Sequence, residues 1–179
     1  MKSVEEQLSS YKSVHFNRKN IQTHFVGIPI ILLSIALFLS LTSWQITIEH
    51  FTFNMTPAFV GVILSLIYYF ILHTRLALAM GVYMSSTLYI ASLLAPFENA
   101  LMMAVILFVV GWFIQFVGHY YEKAKPAFVD DLSQFLIGPL FLMAEVFFAL
   151  GAEDKLNKDI TKTAQRIRHD LEVAKRVES

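Results

Sequence analysis

The chain has 179 residues, of which 56% are hydrophobic and 16% are charged. An average soluble domain has about 25% charged residues, so the composition excludes an ordinary soluble protein and indicates a polytopic membrane protein. The 14 basic and 14 acidic residues give a formal net charge of zero, which excludes the concentrated basic surface of a nucleic-acid-binding protein, and the absence of cysteine excludes disulfides and thiolate metal sites.

The amino-terminal region contains one short predicted helix and a polar turn. Apolar residues recur at helical spacing over residues 4–14, which predicts an amphipathic helix on the membrane surface. A frayed polar tail is the alternative for the same residues. In the polar segment that follows, Asn17 or Asn20 is suited to a turn and a helix cap.

Apolar runs predict an all-α fold, a membrane helical bundle with four spans, a broken fifth hydrophobic helix and an amphipathic helix at the carboxyl end. Each main run has about 16–22 residues, enough for a hydrocarbon core of roughly 30 Å. The Gly138-Pro139 pair interrupts the fifth run. The predicted spans are residues 25–41, 57–72, 76–95, a run from residue 100 onward, and the broken run 132–150.

Basic residues near the span ends predict that the amino terminus is cytoplasmic. Lys12, Arg18 and Lys19 precede the first span, and the connections after the first and third spans have no Lys or Arg. The basic tail from residue 153 onward would also be cytoplasmic, which an odd number of complete spans forbids. The fifth run is therefore predicted to be re-entrant or half-inserted.

A polar stripe ends the fourth span. Gln115, His119 and Glu122 are separated by four and three residues, so they share one helix face. Polar groups at membrane depth are costly to bury and usually mark a functional site. For Glu122, an ion pair at the surface is an alternative to a role in such a site, and its partner would be Lys19, Lys123 or Lys125.

Two further histidines are candidates to join His119. On one continuous helix, His15 and His24 would lie about 13 Å apart along the axis and on opposite faces, so they converge only if the chain turns between them. Three neutral imidazoles, with a carboxylate or open positions completing the coordination sphere, suit divalent iron, zinc or copper. An open position is what O2-using or hydrolytic chemistry requires. The alternative is that each histidine only extends its polar edge toward water.

Other polar residues have simpler expected roles. Glu145 lies inside the fifth apolar run and is expected to be a buried hydrogen-bond partner of the site. His50 and His73 are expected to be interfacial residues.

Two motifs resemble the signatures of the 2-hydroxy fatty acid dioxygenase family, whose fungal member works in phytosphingosine breakdown at the endoplasmic reticulum. The first runs from Tyr11 to His24 and contains His15, Asn17 and Asn20, with Pro29 after it. The second contains Gly111, Trp112, Gln115, Gly118 and His119, followed by Glu122, Pro126, Ala127 and Glu145. They occur in the expected order, and the resemblance covers nearly the whole chain up to Gly151.

The resemblance implies an Fe(II) enzyme that uses O2 to shorten a 2-hydroxy fatty acid by one carbon. It makes His15, His24 and His119 the essential histidines and metal ligands, with Asn17, Asn20, Gln115 and Glu122 beside them. The predicted division of the chain is a membrane-embedded catalytic domain in residues 1–151 and a charged helical tail in residues 152–179. The expected partners are the fatty acid, O2 and membrane lipid, with the site on the cytoplasmic side of a bacterial inner membrane or an endoplasmic reticulum membrane.

Two other classes of membrane protein are rival interpretations. A small transporter or channel would use the polar histidine cluster as an ion pathway, but the polar residues gather at one membrane face and the halves of the chain do not repeat each other. The two-iron site of a desaturase or hydroxylase resembles a cluster of closely spaced histidine pairs. Six scattered histidines do not supply such pairs.

Overall fold

The computed structural model describes residues 2–123, 131 and 133–178, except for the side chains of Phe51 and residues 175–178. Lys125 and the Pro126-Ala127 part of the second motif lie outside the described residues. The described chain forms seven helices and one two-stranded sheet, in the order α1 (Val4–Ser13), α2 (Arg18–Ser40), β1 (Trp44–Ile48), β2 (Phe51–Met55), α3 (Pro57–Leu72), α4 (Thr74–Leu94), α5 (Ala100–Glu122), α6 (Gln134–Ala149) and α7 (Asp154–Glu178).

The chain divides into two compact units. Residues 1–25 and 115–179 form the first, and residues 26–114 form the second. Within the first unit, α1 packs against both α6 and α7. The predicted division into residues 1–151 and 152–179 stays a prediction.

The amino-terminal segment is a well-capped helix, so the frayed-tail alternative is wrong. The Ser3 hydroxyl accepts a hydrogen bond from the amide of Glu6 at 3.2 Å, and the Glu6 carboxylate accepts one from the amide of Ser3 at 2.8 Å. The location of α1 on the membrane surface stays a prediction, but the helix is not free of the rest of the protein, because Leu8 and Tyr11 are buried together with several of its polar residues. Packing on two sides by α6 and α7 explains that burial.

Three helices of the described chain are long and apolar enough to cross a membrane: α2, α4 and α5, with 23, 21 and 23 residues. The helices α3 and α6 are also apolar, but each has 16 residues. At 1.5 Å per residue such a helix is about 24 Å long, short of a hydrocarbon core of roughly 30 Å. The count of four spans and a fifth therefore remains a prediction.

The expected break at Gly138-Pro139 is absent. Helix α6 continues through Pro139, its sixth residue. A proline inside a helix removes the hydrogen bond to the carbonyl of the residue four positions earlier and crowds that carbonyl. The surrounding turn is held by packing, since Ile137, Leu140 and Phe141 are all buried.

Small residues bring two long apolar helices, α2 and α5, together in the second unit. A Cβ on Gly111 of α5 would lie 2.6 Å from the side chain of Ile31 and 3.2 Å from the carbonyl oxygen of Gly27, both on α2. The Ser34 hydroxyl of α2 donates to the carbonyl of Ala104 on α5 at 2.9 Å. In a lipid environment the hydrophobic effect does not drive helices together, because the surroundings are as apolar as the side chains. Helices there pack closely through small residues.

The connection after α2 is an antiparallel hairpin, which the prediction of an all-α fold misses. Strands β1 and β2 pair from Trp44 opposite Met55 to Ile48 opposite Phe51. At the turn, Glu49 takes a left-handed conformation with φ of 53°, as tight hairpin turns require. The alternation of apolar and polar residues in this segment was the available signal.

Candidate metal centre

Three histidines from separate parts of the first unit converge, as the turn argument predicted. His15 lies between α1 and α2, His24 in the second turn of α2, and His119 in the last turn of α5. One ring nitrogen from each lies within 4.8 Å of the others. The ring centroids of His15 and His24 are 4.6 Å apart, and each lies 5.0 Å from that of His119.

Asn17 makes the turn that brings the two amino-terminal histidines together. Its side-chain oxygen accepts a hydrogen bond from the amide of Lys19 at 2.9 Å and so caps the start of α2. Its side-chain nitrogen donates to the carbonyl of Tyr121 at 3.0 Å, near the end of α5. The predicted cap is thereby confirmed, and it also fastens the turn beside His119.

Main-chain carbonyls set the orientation of two rings. The Nδ1 atom of His15 lies 2.6 Å from the carbonyl oxygen of Tyr11, and that of His24 lies 2.8 Å from the carbonyl oxygen of Asn20. A carbonyl oxygen only accepts hydrogen bonds, so both Nδ1 atoms carry the proton. Each neutral ring then presents an unprotonated Nε2, the arrangement in which histidines bind metals.

The two Nε2 atoms face each other at 3.1 Å. Both would direct lone pairs into this contact, which is repulsive unless a cation lies between them. Burial, followed by the nearby charge of His24, lowers the pKa of His15 well below its usual value of 6.5, so an added proton is disfavoured. Two nitrogens at about 2.1 Å from one ion and 3.1 Å from each other subtend about 95° at it. The donor set therefore fits a divalent metal ion.

The wall of the site beside His15 is aromatic. The Tyr11 ring stacks on the His15 ring with centroids 4.1 Å apart and planes 1° from parallel. Burial raises the pKa of the Tyr11 hydroxyl, so it stays protonated. Tyr11 thus orients His15 in two ways: its ring stacks on the imidazole, and its carbonyl accepts a hydrogen bond from His15 Nδ1.

Glu122 fastens the turn between α1 and α2 and is buried, not at the surface. Its side chain is 2% exposed. It accepts hydrogen bonds from the backbone amides of Phe16 and Asn17 at 3.2 and 2.7 Å and from the side chain of Asn20 at 3.2 Å. Among the described residues, the cation that meets it is Arg168 of α7, whose Nη1 lies 3.2 Å away and also donates to the carbonyl of Ser13.

Two buried amides point to a molecule outside the described chain. Gln115 is 4% exposed, and within the described residues neither atom of its amide group has a hydrogen-bond partner. The side-chain oxygen of Asn20 is also buried without a hydrogen-bond partner among the described residues. Leaving such a group unsatisfied costs about 1–3 kcal/mol. Gln115 lies one helical turn before His119, so a bound ligand or water beside the histidines would satisfy it.

Gly118 lets α2 reach α5 at this site. A Cβ there would overlap the hydroxyl of Thr23 and lie 2.5 Å from the side-chain oxygen of Asn20. Sequence reasoning recorded Gly118 only as part of a motif. It missed Arg168 because nothing in the local pattern links the tail to this site.

Other predicted polar residues lie outside the cluster. Glu145 accepts a hydrogen bond from the ammonium of Lys12 at 2.7 Å and so ties α6 to α1. His73 caps α4 by accepting from the amide of Leu76 at 3.4 Å. His50 lies in the hairpin turn.

Comparison with known proteins agrees with the two motifs. The profile of a family described as "2-hydroxy-palmitic acid dioxygenase Mpo1-like" matches residues 1–150. A protein of Saccharomyces cerevisiae named "2-hydroxy-palmitic acid dioxygenase MPO1" is 32% identical over 175 residues, which cover 97% of this chain and 92% of that protein. No solved structure matches. The family resemblance read from the motifs is confirmed.

Proposed function

The chain belongs to the 2-hydroxy-palmitic acid dioxygenase Mpo1-like family, and from this premise we propose that it is an Fe(II)-dependent dioxygenase of 2-hydroxy long-chain fatty acids. The reaction is RCH(OH)COOH + O2 → RCOOH + CO2 + H2O. It balances without an added reductant, so it requires no flavin, nicotinamide or 2-oxoglutarate. The observation that carries the proposal is the buried trio of histidines, two of which direct unprotonated nitrogens at each other across 3.1 Å.

His15, His24 and His119 would hold the metal. When bound, Fe(II) supplies the oxygen chemistry that no amino-acid side chain provides. The carbonyls of Tyr11 and Asn20 keep the protons on Nδ1 of His15 and His24, which fixes the ring orientations and raises the basicity of Nε2.

The amides of Gln115 and Asn20 would contact the substrate. Gln115 has one donor group and one acceptor buried without partners among the described residues, and a 2-hydroxy acid offers a carboxylate acceptor and a hydroxyl donor. We assign the Gln115 amide nitrogen to the carboxylate and its oxygen to the 2-hydroxyl. This pairing would orient the bond that breaks between the first and second carbons.

Glu122, Asn17 and Glu145 are positioning residues in this proposal. Glu122 holds the turn that carries His15, and Asn17 fixes the start of the helix that carries His24. Glu145 anchors α6 to α1 through Lys12, one helical turn before His15. None of the three needs to meet the substrate.

The membrane would supply the binding energy for the acyl chain. Burial of each methylene group is worth about 0.8 kcal/mol, so apolar surroundings favour long chains. The basic residues of the amino-terminal segment support the proposal that the site lies on the cytoplasmic side of an integral membrane protein. A bacterial inner membrane and an endoplasmic reticulum membrane both suit this orientation.

The test is turnover and metal content of the same preparations. Purified protein supplied with Fe(II), O2 and a 2-hydroxy C16 acid should release the C15 acid, and His119→Ala should lose both iron and turnover while staying folded in detergent. His169→Ala is the control, because His169 is exposed on α7. Gln115→Leu should retain iron and raise KM. Full turnover in His119→Ala would rule out the site.

A further inference from the structure

The β1–β2 hairpin has one apolar face and one polar face. Residues opposite each other in an antiparallel pair point to the same side of the sheet, so the pairs Trp44–Met55 and Ile46–Phe53 share the face of Ile48. The other face carries polar side chains only, which are those of Gln45, Thr47, Thr52 and Asn54. The two threonine hydroxyls hydrogen-bond each other at 3.0 Å.

Three of the five side chains on the apolar face are exposed in the described chain, and those of Ile46 and Met55 are half-buried. Trp44 is 45% exposed, Ile48 59% and Phe53 42%. Isolated two-stranded hairpins are marginally stable in water, and an exposed apolar patch of this kind usually marks an interaction surface. A partner that takes up apolar side chains along one flat face is therefore expected.

The position of the hairpin in the chain identifies that partner. Strand β1 begins four residues after α2 ends at Ser40, and β2 ends two residues before α3 begins at Pro57. At about 3.5 Å per residue the hairpin starts within roughly 14 Å of the end of α2, which is long and apolar enough to cross a membrane. The hairpin is thus confined to the neighbourhood of a bilayer surface.

Its charge distribution fits the same location. Residues 42–56 contain no Lys or Arg, and their one acidic residue, Glu49, lies with His50 at the turn. Tryptophan is enriched where headgroups meet acyl chains, because its ring is apolar and its N–H group is polar. Trp44 opens the first strand at the end nearest α2.

We propose that the β1–β2 hairpin is a lipid-binding anchor that lies flat on the bilayer, with the face of Trp44, Ile46, Ile48, Phe53 and Met55 inserted among the lipids. Its polar face points to water. The hairpin thereby fixes how deep the end of α2 and the start of α3 lie in the bilayer. This inference does not depend on the proposed enzymatic function.

The test uses adjacent, exposed positions on opposite faces. The chain has no cysteine, so Ile48→Cys and Thr47→Cys each give one site for a nitroxide spin label in the full-length protein in lipid nanodiscs. We expect the label at Ile48 to collide with O2, which concentrates in lipid, more than with a water-soluble nickel chelate. The label at Thr47 should show the reverse. Equal access of the chelate to both labels would overturn the proposal, as would exclusion of both reagents from Ile48, since that result indicates a protein partner.

A second measurement leaves the hairpin unaltered. In Trp112→Phe, Trp44 is the one remaining tryptophan, because the chain has two. Its emission should be quenched by lipids brominated near the headgroup and should be insensitive to aqueous iodide. Quenching by iodide with no effect of brominated lipid would refute insertion.

Discussion

The contact of α2 with α5 at Gly118 makes Gly118→Ala a sharp test of the site geometry. The added Cβ would overlap the Thr23 hydroxyl and lie 2.5 Å from the Asn20 side-chain oxygen. Neither neighbour rotates away easily, because Thr23 donates to the carbonyl of Asn20 at 2.7 Å and the Asn20 amide donates to Glu122 at 3.2 Å. The start of α2 must therefore move by about 1 Å to restore ordinary van der Waals contact.

The expected loss of stability is modest and the loss of metal binding is larger. Overpacking costs about 1–3 kcal/mol, and replacing a helical glycine by alanine returns about 1 kcal/mol, so unfolding should become easier by up to about 2 kcal/mol. His24 lies one residue beyond Thr23 and moves with it. A disturbance beside metal ligands typically lowers metal affinity by about 10–100-fold.

Thermal unfolding in detergent and Fe(II) titration measure the two effects. Gly61→Ala is the matched control, since a Cβ on Gly61 would have no atom of the described chain within 4 Å. It should leave metal affinity unchanged while stabilising α3 by up to about 1 kcal/mol. Wild-type metal affinity in Gly118→Ala would refute the claim that this helix contact sets the histidine geometry.

Three further predictions concern the contacts that fasten the site. Arg168→Met should destabilise the protein by about 1–3 kcal/mol, because it leaves the buried Glu122 carboxylate without the Arg168 cation. Glu122→Gln should cost a similar amount, because an amide nitrogen then faces donors that the carboxylate accepts from. A double-mutant cycle on unfolding free energies should give a coupling of about 0.5–3 kcal/mol, and a coupling near zero would show that the Glu122–Arg168 ion pair contributes nothing to stability. Lys12→Met alone should lower the free energy of unfolding, since it leaves the partly buried Glu145 carboxylate without its Lys12 partner. Adding Glu145→Leu should recover most of that stability. Thermal melts of the single and double variants would check both results. Asn17→Ala should cost about 0.5–2 kcal/mol of stability through loss of the α2 cap, and it should also weaken Fe(II) binding. Unchanged Fe(II) affinity would show that the cap does not position the histidines.

Long apolar runs allowed most helices to be predicted closely from sequence. The span predicted over residues 57–72 coincides with α3, because Pro57 marks the first turn and a polar residue follows the last. The meeting of His15 with His24 also followed from local reasoning, since a turn in the segment from Asn17 to Asn20 was the way to bring them together.

Contacts between distant parts of the chain could not be read in the same way. Arg168 reaches Glu122 across 46 residues, and one arginine in a tail with many charged residues carries no local mark of that contact. The burial of α1 has the same origin, because its amphipathic pattern fits a membrane surface as well as a groove between two helices. The hairpin was missed for another reason: its alternation was present, but the segment was interpreted only as a connection between spans.

The groups that fold the first unit are also the groups that orient the proposed ligands. Asn20 uses its carbonyl to hold the His24 ring and its amide to hold Glu122, while Glu122 holds the turn that carries His15. A substitution at either residue would therefore disturb the histidines without touching a metal. It follows that loss of activity at Glu122 alone does not make it a ligand, and only the combination of metal affinity, unfolding free energy and turnover in one variant separates a ligand from a residue that positions one.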